Sequence, residues 1–295
     1  METINQISDL LSSIQTEHPI IFYSFIFAYA ASFATFLNVV IFRMPFIMDK
    51  EWCEDATAFL AHKGVKHDEI KPNNLMYSVI GGRSHCPICF DQIPLYYNIP
   101  ILGWLMLKGK SACCKQPIPF RYIGFELLYT AGVLVIFTQF SIMQSVFLSL
   151  FLFVGLAIAA IDAKTTFIPD FLSYTLLWSG LIASTMGVFN TPIESIIGAS
   201  GSFLFLYVIA KSYTMVRGID GMGAGDFKLV AAIGAWTGIA AMPFTLLLAC
   251  FTTFFLMIMS KTMLRTIPGM QNLQGAPFGP GLIISGLIMT IHQIL

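Results

Sequence analysis

The chain has 295 residues, of which 56% are hydrophobic, 14% aromatic and only 11% charged, and its mean hydropathy is +0.76. A soluble domain carries about 25% charged residues, so this composition excludes an ordinary soluble enzyme, a disordered chain and a nucleic-acid-binding domain driven by net basicity. Lys+Arg and Asp+Glu both number 16, so net charge says nothing about partners, whereas its distribution does.

Eight apolar runs follow one another, at about 20–42, 122–141, 144–161, 170–189, 193–213, 227–241, 243–260 and 278–294. A membrane-crossing helix needs about 20 mostly apolar residues. The sixth run is short and rich in Gly and Ala. A transmembrane β-barrel would alternate polar and apolar residues over ten-residue segments, and these runs are continuously apolar. The first run is too long for the apolar region of a signal peptide. No Lys or Arg precedes it and no convincing small-residue cleavage site follows, so it is read as a retained span.

Ten of the 16 Lys and Arg residues lie between Arg43 and Arg121. Lys164 follows the third run, Lys211, Arg217 and Lys228 surround the gap between the fifth and sixth, and Lys261 and Arg265 follow the seventh. With the N-terminus outside, every one of them falls in a cytoplasmic loop or at a cytoplasmic helix end, as the positive-inside rule requires. The sequence therefore predicts an all-α polytopic membrane protein with about eight transmembrane helices. Its expected parts are an N-terminal segment with the first span (1–42), a cytoplasmic domain (43–121) and a seven-helix membrane domain (122–295).

The segment 43–121 holds five of the six cysteines and three of the five histidines, His62, His67 and His85. A short amphipathic helix is expected over 48–64 and a loop over 71–83. Cys86-Pro87-Ile88-Cys89 is a CxxC knuckle, and Cys113 and Cys114 follow it. Two close thiolate pairs separated by a loop are the pattern of a tetrahedral zinc site. The second half reads Ser111-Ala112-Cys113-Cys114 and departs from CxxC, and adjacent cysteines do not easily both reach one ion, so His85 or a water is an alternative fourth ligand. The rival readings are a redox CxxC and unliganded thiols. A cytosolic face disfavours disulfides, and no thioredoxin-like βαβ pattern surrounds the pair.

After the large loop the acidic residues are Glu126, Asp162, Asp170, Glu194, Asp220 and Asp226. An ionisable group near a span is costly and calls for a partner or a role. Asp162 ends the third run and Asp226 opens the sixth, within Gly221-Met-Gly-Ala-Gly-Asp226, so both fall at the cytoplasmic boundary. Gly221, Gly223 and Gly225 leave one side of the backbone bare. Two carboxyls brought close share one proton and titrate as a pair. One can then deprotonate a water while the other protonates a peptide carbonyl, as in an aspartic peptidase. The plainer readings are an N-cap role for Asp226 and a solvated Asp162 paired with Lys164. Asp170, after Pro169, is assigned first to the N-cap of the fourth span, and Glu126 is read first as structural.

Gly221-Met-Gly-Ala-Gly-Asp-Phe-Lys-Leu-Val-Ala-Ala-Ile-Gly-Ala-Trp-Thr-Gly238 resembles the GxGD segment of the type IV prepilin peptidases. These are the bifunctional leader peptidase/N-methyltransferases of type IV pili and type II secretion. In the same order, Phe36-Leu-Asn-Val-Val-Ile-Phe-Arg-Met-Pro45, His85-Cys-Pro-Ile-Cys89, the segments 98–110 and 117–122, Ile161-Asp162, Leu176-Leu-Trp178 and Pro277-Phe-Gly-Pro280 are similar to family segments. The resemblance implies catalytic aspartates at Asp162 and Asp226, with Gly223 and Gly225 in support. It implies zinc at Cys86, Cys89 and Cys114, with Ser111 standing where the family has a cysteine and Cys113 as a neighbouring substitute.

The implied substrates are prepilins or pseudopilins with a basic leader ending in Gly and a hydrophobic N-terminal helix. Cleavage on the cytoplasmic face of the bacterial inner membrane is followed by methylation of the new amine with S-adenosylmethionine, in a lipid setting and without nucleic acid. Gly109, in Lys108-Gly109-Lys110, is the candidate cofactor residue. No GxGxxG motif marks a cofactor site independently. The competing functions are a peptidase-only homologue and a polytopic transporter or scaffold with an Asp proton relay.

Overall fold

The computed structural model describes residues 2–64, 84–86, 88–89, 91–219, 221–264 and 277–295. The expected loop over 71–83 lies outside them. Among the described residues, ten α-helices run in chain order: α1 (Glu2–Glu17), α2 (Pro19–His62), α3 (Leu102–Met106), α4 (Arg121–Gln139), α5 (Ile142–Thr165), α6 (Asp170–Thr185), α7 (Pro192–Arg217), α8 (Ala224–Thr237), α9 (Met242–Leu264) and α10 (Gly279–His292). Each of the eight apolar runs forms one of the helices α2 and α4–α10. Five of these, α2, α4, α5, α7 and α9, are long and apolar enough to cross a membrane. The protein is thus a helical polytopic membrane protein, and the only β pairings among the described residues are two isolated bridges.

Two elements differ from expectation. Residues 48–64 form no separate helix: α2 continues through Pro45 and ends at His62. At 1.5 Å per residue its 44 residues extend about 66 Å, against about 30 Å of hydrocarbon. The apolar run therefore marks only the first half of α2, and charge enters from Arg43 onward. The second is α1, whose Ile7, Leu10 and Ile14 recur at helical spacing. Its Ser12, Ser13 and Thr16 hydroxyls bond back to carbonyls three or four residues earlier, so the polar residues are satisfied within the helix.

The chain divides into two compact units, residues 1–26 with 131–295, and residues 27–130. In the first, α8 is the innermost helix and packs on α6, α7 and α10. Every residue from Leu229 to Thr237 is buried, as expected of a helix apolar on all sides. Trp236 anchors it. Its indole N–H donates to the Leu176 carbonyl at 2.8 Å, and its ring packs against Phe147, Phe151 and Phe189. The α7–α8 crossing depends on glycine at both positions of closest approach, because a Cβ on Gly198 would strike the Gly234 carbonyl and one on Gly234 would strike that of Gly198. α5 and α7 begin with reciprocal caps, Ser141 with Gln144 and Thr191 with Glu194.

In the second unit, the Asn38 amide of α2 donates to the Tyr122 carbonyl at 3.0 Å and ties α2 to the start of α4. Between them lie two short loops, each closed by one bridge, His85 to Gln92 and Lys110 to Pro117. The Cys86 N–H donates to Asp91, the Ile93 N–H to Ser84, and the Ser111 N–H to Gln116. Each loop carries one cysteine pair.

Gly234→Ala should lower stability by about 1–3 kcal/mol, the usual cost of overpacking. Gly124→Ala, whose Cβ would meet only the Phe120 ring at 4.0 Å, should stay within about 0.5 kcal/mol of wild type. Thermal unfolding of the purified protein in detergent measures both. Equal midpoints would show that the α7–α8 crossing can open without cost.

Candidate active site and metal centre

Asp162 lies in the last turn of α5. It is 4% exposed, while Lys164 on the same turn is exposed. The solvated, Lys-paired reading of Asp162 is thereby overturned. Its Oδ2 accepts the backbone N–H of Gly279, the first residue of α10, at 2.8 Å. Helix N-termini carry partial positive charge and unpaired N–H groups, which favour a carboxylate there. Gly279 must be glycine for this contact, because a Cβ would lie 2.8 Å from Asp162 Oδ2.

Asp226 is half-buried at the third position of α8, so it is not the N-cap, which is Gly223. Its own backbone N–H donates to the Gly223 carbonyl at 3.2 Å. The Asp162 and Asp226 carboxyls are near enough to act on one another electrostatically. Gly225 permits this convergence, since a Cβ there would lie 3.0 Å from Ile168 Cβ, on the turn that joins α5 to α6. Gly223 has a φ of −72° and would put a Cβ 3.5 Å from Asp226 Oδ2, an ordinary contact, so neither space nor conformation requires glycine there.

Asp170 is not the N-cap of α6. Pro169 holds that position and Asp170 begins the helix. Its carboxylate is taken by Lys228, with Nζ 2.7 Å from Oδ1 and 2.6 Å from Oδ2. This ion pair pins the start of α6 to the start of α8, two residues beyond Asp226. Sequence reasoning missed the pair, and it gave Gly279 no role although the Pro277-Phe-Gly-Pro280 motif was in view.

The four knuckle cysteines converge, with all Sγ atoms within 4.8 Å of one another. Cys86 and Cys114 are 3.7 Å apart, and Cys89 and Cys113 are 3.0 Å apart. A tetrahedral Zn–S distance of about 2.3 Å implies S–S edges of about 3.8 Å, so this donor set suits a single zinc-like cation. Adjacent cysteines both reach the cluster where the chain curls back, with Lys115 at a φ of 57°. The Ser111 hydroxyl lies 3.0 Å from Cys113 Sγ and 3.7 Å from Cys86 Sγ, beside the cluster. His85 is absent from the group.

Burial opposes ionisation of Cys86. Donors from the Cys89 and Ile88 backbone, the Ser111 hydroxyl and the Cys89 thiol outweigh it and hold the Cys86 pKa down at about 6. Donation to Cys113 pushes the Cys89 thiol up to about 12, and accepting that bond lowers Cys113. The sulfurs thus share protons, which a divalent cation would displace.

Gly109 has a φ of 71°, and a Cβ on it would lie 2.9 Å from the Trp104 ring. Conformation and packing both select glycine there. Glu126 is held within residues 27–130 by the Asn38 side chain and the Ile101 N–H.

The Bacterial Peptidase A24 N-terminal domain matches residues 28–140 and so includes all four cysteines. The Type IV leader peptidase family matches residues 146–258, which include Asp162 and Asp226. The chain is 35% identical to a prepilin leader peptidase/N-methyltransferase of Aeromonas hydrophila, over 92% of this chain and 90% of that protein. Similarly named proteins of Klebsiella pneumoniae (35% identical, 81% of this chain, 96% of that one) and Legionella pneumophila (32%, 95% and 94%) are alike to a comparable degree. No solved structure matches the chain.

Cys113→Ser should strip the metal: zinc retained after dialysis against a chelator should fall from about one ion per chain to a trace. Adding Ser111→Cys to that variant should restore it, since the new Sγ would occupy the Ser111 Oγ position beside the cluster. Elemental analysis reads both. Full zinc retention in Cys113→Ser would show that Cys113 is no ligand.

Proposed function

The chain belongs to the type IV leader peptidase family, and from that premise we propose that it cleaves the leader from type IV prepilins or type II secretion pseudopilins and then N-methylates the new N-terminal residue. The supporting observation is the buried Asp162, held by the Gly279 N–H with Asp226 in electrostatic reach. Asp162 and Asp226 are the catalytic pair in this reading, with Gly225 allowing the close approach and Gly223 lying beside the Asp226 carboxylate.

With one proton between two carboxyls, the ionised one takes a proton from water as its oxygen bonds to the scissile carbonyl carbon. The protonated one gives its proton to the carbonyl oxygen, forming a tetrahedral diol. Return of a proton to the nitrogen lets the C–N bond break, leaving a leader carboxylate and a free amine. The scissile bond follows the Gly of a basic leader, and the residues after it form the substrate's hydrophobic helix.

The proposed setting is the bacterial inner membrane, with the N-terminus outside and the aspartates facing the cytoplasm. Residues 1–42 hold the first span, residues 43–121 form the cytoplasmic domain, and residues 122–295 form the peptidase. Cys86, Cys89, Cys113 and Cys114 would hold a structural zinc that cross-links a region too small for a core of its own. S-adenosylmethionine would supply an electrophilic methyl group. The chain's task is then to aim a neutral amine at it, and Gly109 contributes by letting Trp104 pack close.

Membranes containing the protein, mixed with a prepilin, should yield a shortened product carrying one added methyl group when the methyl donor is present. Asp162→Asn and Asp226→Asn should each reduce cleavage by more than about 10³-fold, the scale of acid–base catalysis. Asp170→Asn loses only a partly exposed ion pair and should stay within about tenfold of wild type. Gly279→Ala should lower cleavage by about 10²-fold through displacement of the Asp162 carboxyl. Mass spectrometry of the product N-terminus reads all of these. Cleavage undiminished in either Asp→Asn variant would eliminate the dyad, and cleavage without a mass gain would leave a peptidase alone.

A further inference from the structure

Residues 27–130 line an open cleft of about 900 Å³, within the size range of small-molecule sites. Asn38 and Arg43 of α2, Tyr97, Trp104, Arg121 and Glu126 are among the residues lining it. Tyr96 and Tyr122 add further aromatic surface. Cys86 and Cys113 of the cysteine cluster border the cleft on one side, and the aspartate pair is not among its lining residues.

The Glu126 carboxylate is held by both of its oxygens. Oε1 accepts the Asn38 side-chain amide at 3.1 Å, and Oε2 accepts the Ile101 N–H at 2.7 Å. Ile101 has φ 62° and ψ −50°, a conformation that a β-branched residue adopts rarely and at a cost. The Leu102 N–H donates to the Pro100 carbonyl at 2.5 Å and closes a γ-turn around it. The backbone is thus bent into an unfavourable shape at the residue whose N–H meets Glu126. Both of these donors are neutral amides, and among the described residues no basic side chain forms an ion pair with Glu126. A carboxylate so placed can receive a cationic ligand.

Resting on the methyl-transfer half of the proposed function, we infer that this cavity is the S-adenosylmethionine site and that Glu126 is the binding residue for the donor's positive charge. The chemistry of the walls matches that of the ligand. Aromatic faces suit both a flat purine and a sulfonium cation, and Arg121 suits the donor's carboxylate. Asn38 and the Ile101 N–H are positioning groups that keep the Glu126 oxygens turned into the cavity. Gly109 is not among the lining residues and acts through Trp104, which is.

The test uses the full chain purified in detergent. Equilibrium dialysis should give a Kd for S-adenosylmethionine at least tenfold weaker in Glu126→Gln than in wild type, with unchanged elution on size exclusion. The preference for S-adenosylmethionine over uncharged-sulfur S-adenosylhomocysteine should fall as well, which a merely structural role would not cause. Ultraviolet cross-linking of radiolabelled donor to wild type should label peptides from 84–126, a result independent of any variant's folding. A wild type that methylates its product but carries the label in 131–295, or whose Glu126→Gln form keeps both affinity and preference, overturns the cavity assignment and leaves the proposed function standing. A wild type that cleaves but neither binds the donor nor methylates removes the cavity assignment together with the methyl-transfer half of the proposed function.

Discussion

A carboxyl group sealed into the end of an apolar helix must find a hydrogen-bond donor within the protein. For Asp162 that donor is the Gly279 N–H at the head of α10. The bond requires a residue without a side chain at 279, and it requires α10 to begin there. The start of α8 is set independently by Gly225 against Ile168 and by Lys228 against Asp170. Three distant stretches of chain therefore meet around two carboxylates. The arrangement is a matter of helix ends, and the long apolar bodies of the helices serve to hold those ends in register.

Much of this was legible from the residues alone. Lipid is a simple solvent, so apolar runs reported eight helices, and the distribution of Lys and Arg gave a coherent arrangement of loops. Asp162 and Asp226 stood out because carboxylates are rare in such runs. What the residues did not disclose depended on contacts across the fold. The Lys228–Asp170 pair spans two helices, and Asp170 looked like a cap because local pattern cannot see a partner 58 positions away. Gly279 looked like any glycine beside prolines. The continuation of α2 through Pro45 defied a local rule, since proline in a helix interior removes a hydrogen bond and crowds the preceding turn. The strained Ile101 has no sequence signature, because isoleucine is among the last residues expected at positive φ.

The cysteine cluster carries a related lesson. Regular spacing suggested three good ligands and a flawed fourth position at Ser111. In space, the turn before Lys115 lets Cys113 take that place, and the serine remains alongside as a hydrogen-bond partner of sulfur. A donor set is defined by where its atoms converge, and a one-position shift along the chain can be absorbed by the backbone of a tight turn.

The shortness of the inner helices has a consequence for the solvent around them. α8 has 14 residues, about 21 Å of helix, in a bilayer whose oily layer measures about 30 Å. The remaining 9 Å or so must be met by local pinching of the lipid or by an aqueous inlet at the helix ends. A peptide bond embedded among greasy segments is hard to hydrolyse chiefly because water is scarce there. In the proposed reaction, an inlet at the ends of the short helices α6, α8 and α10 would bring water to Asp162 and Asp226.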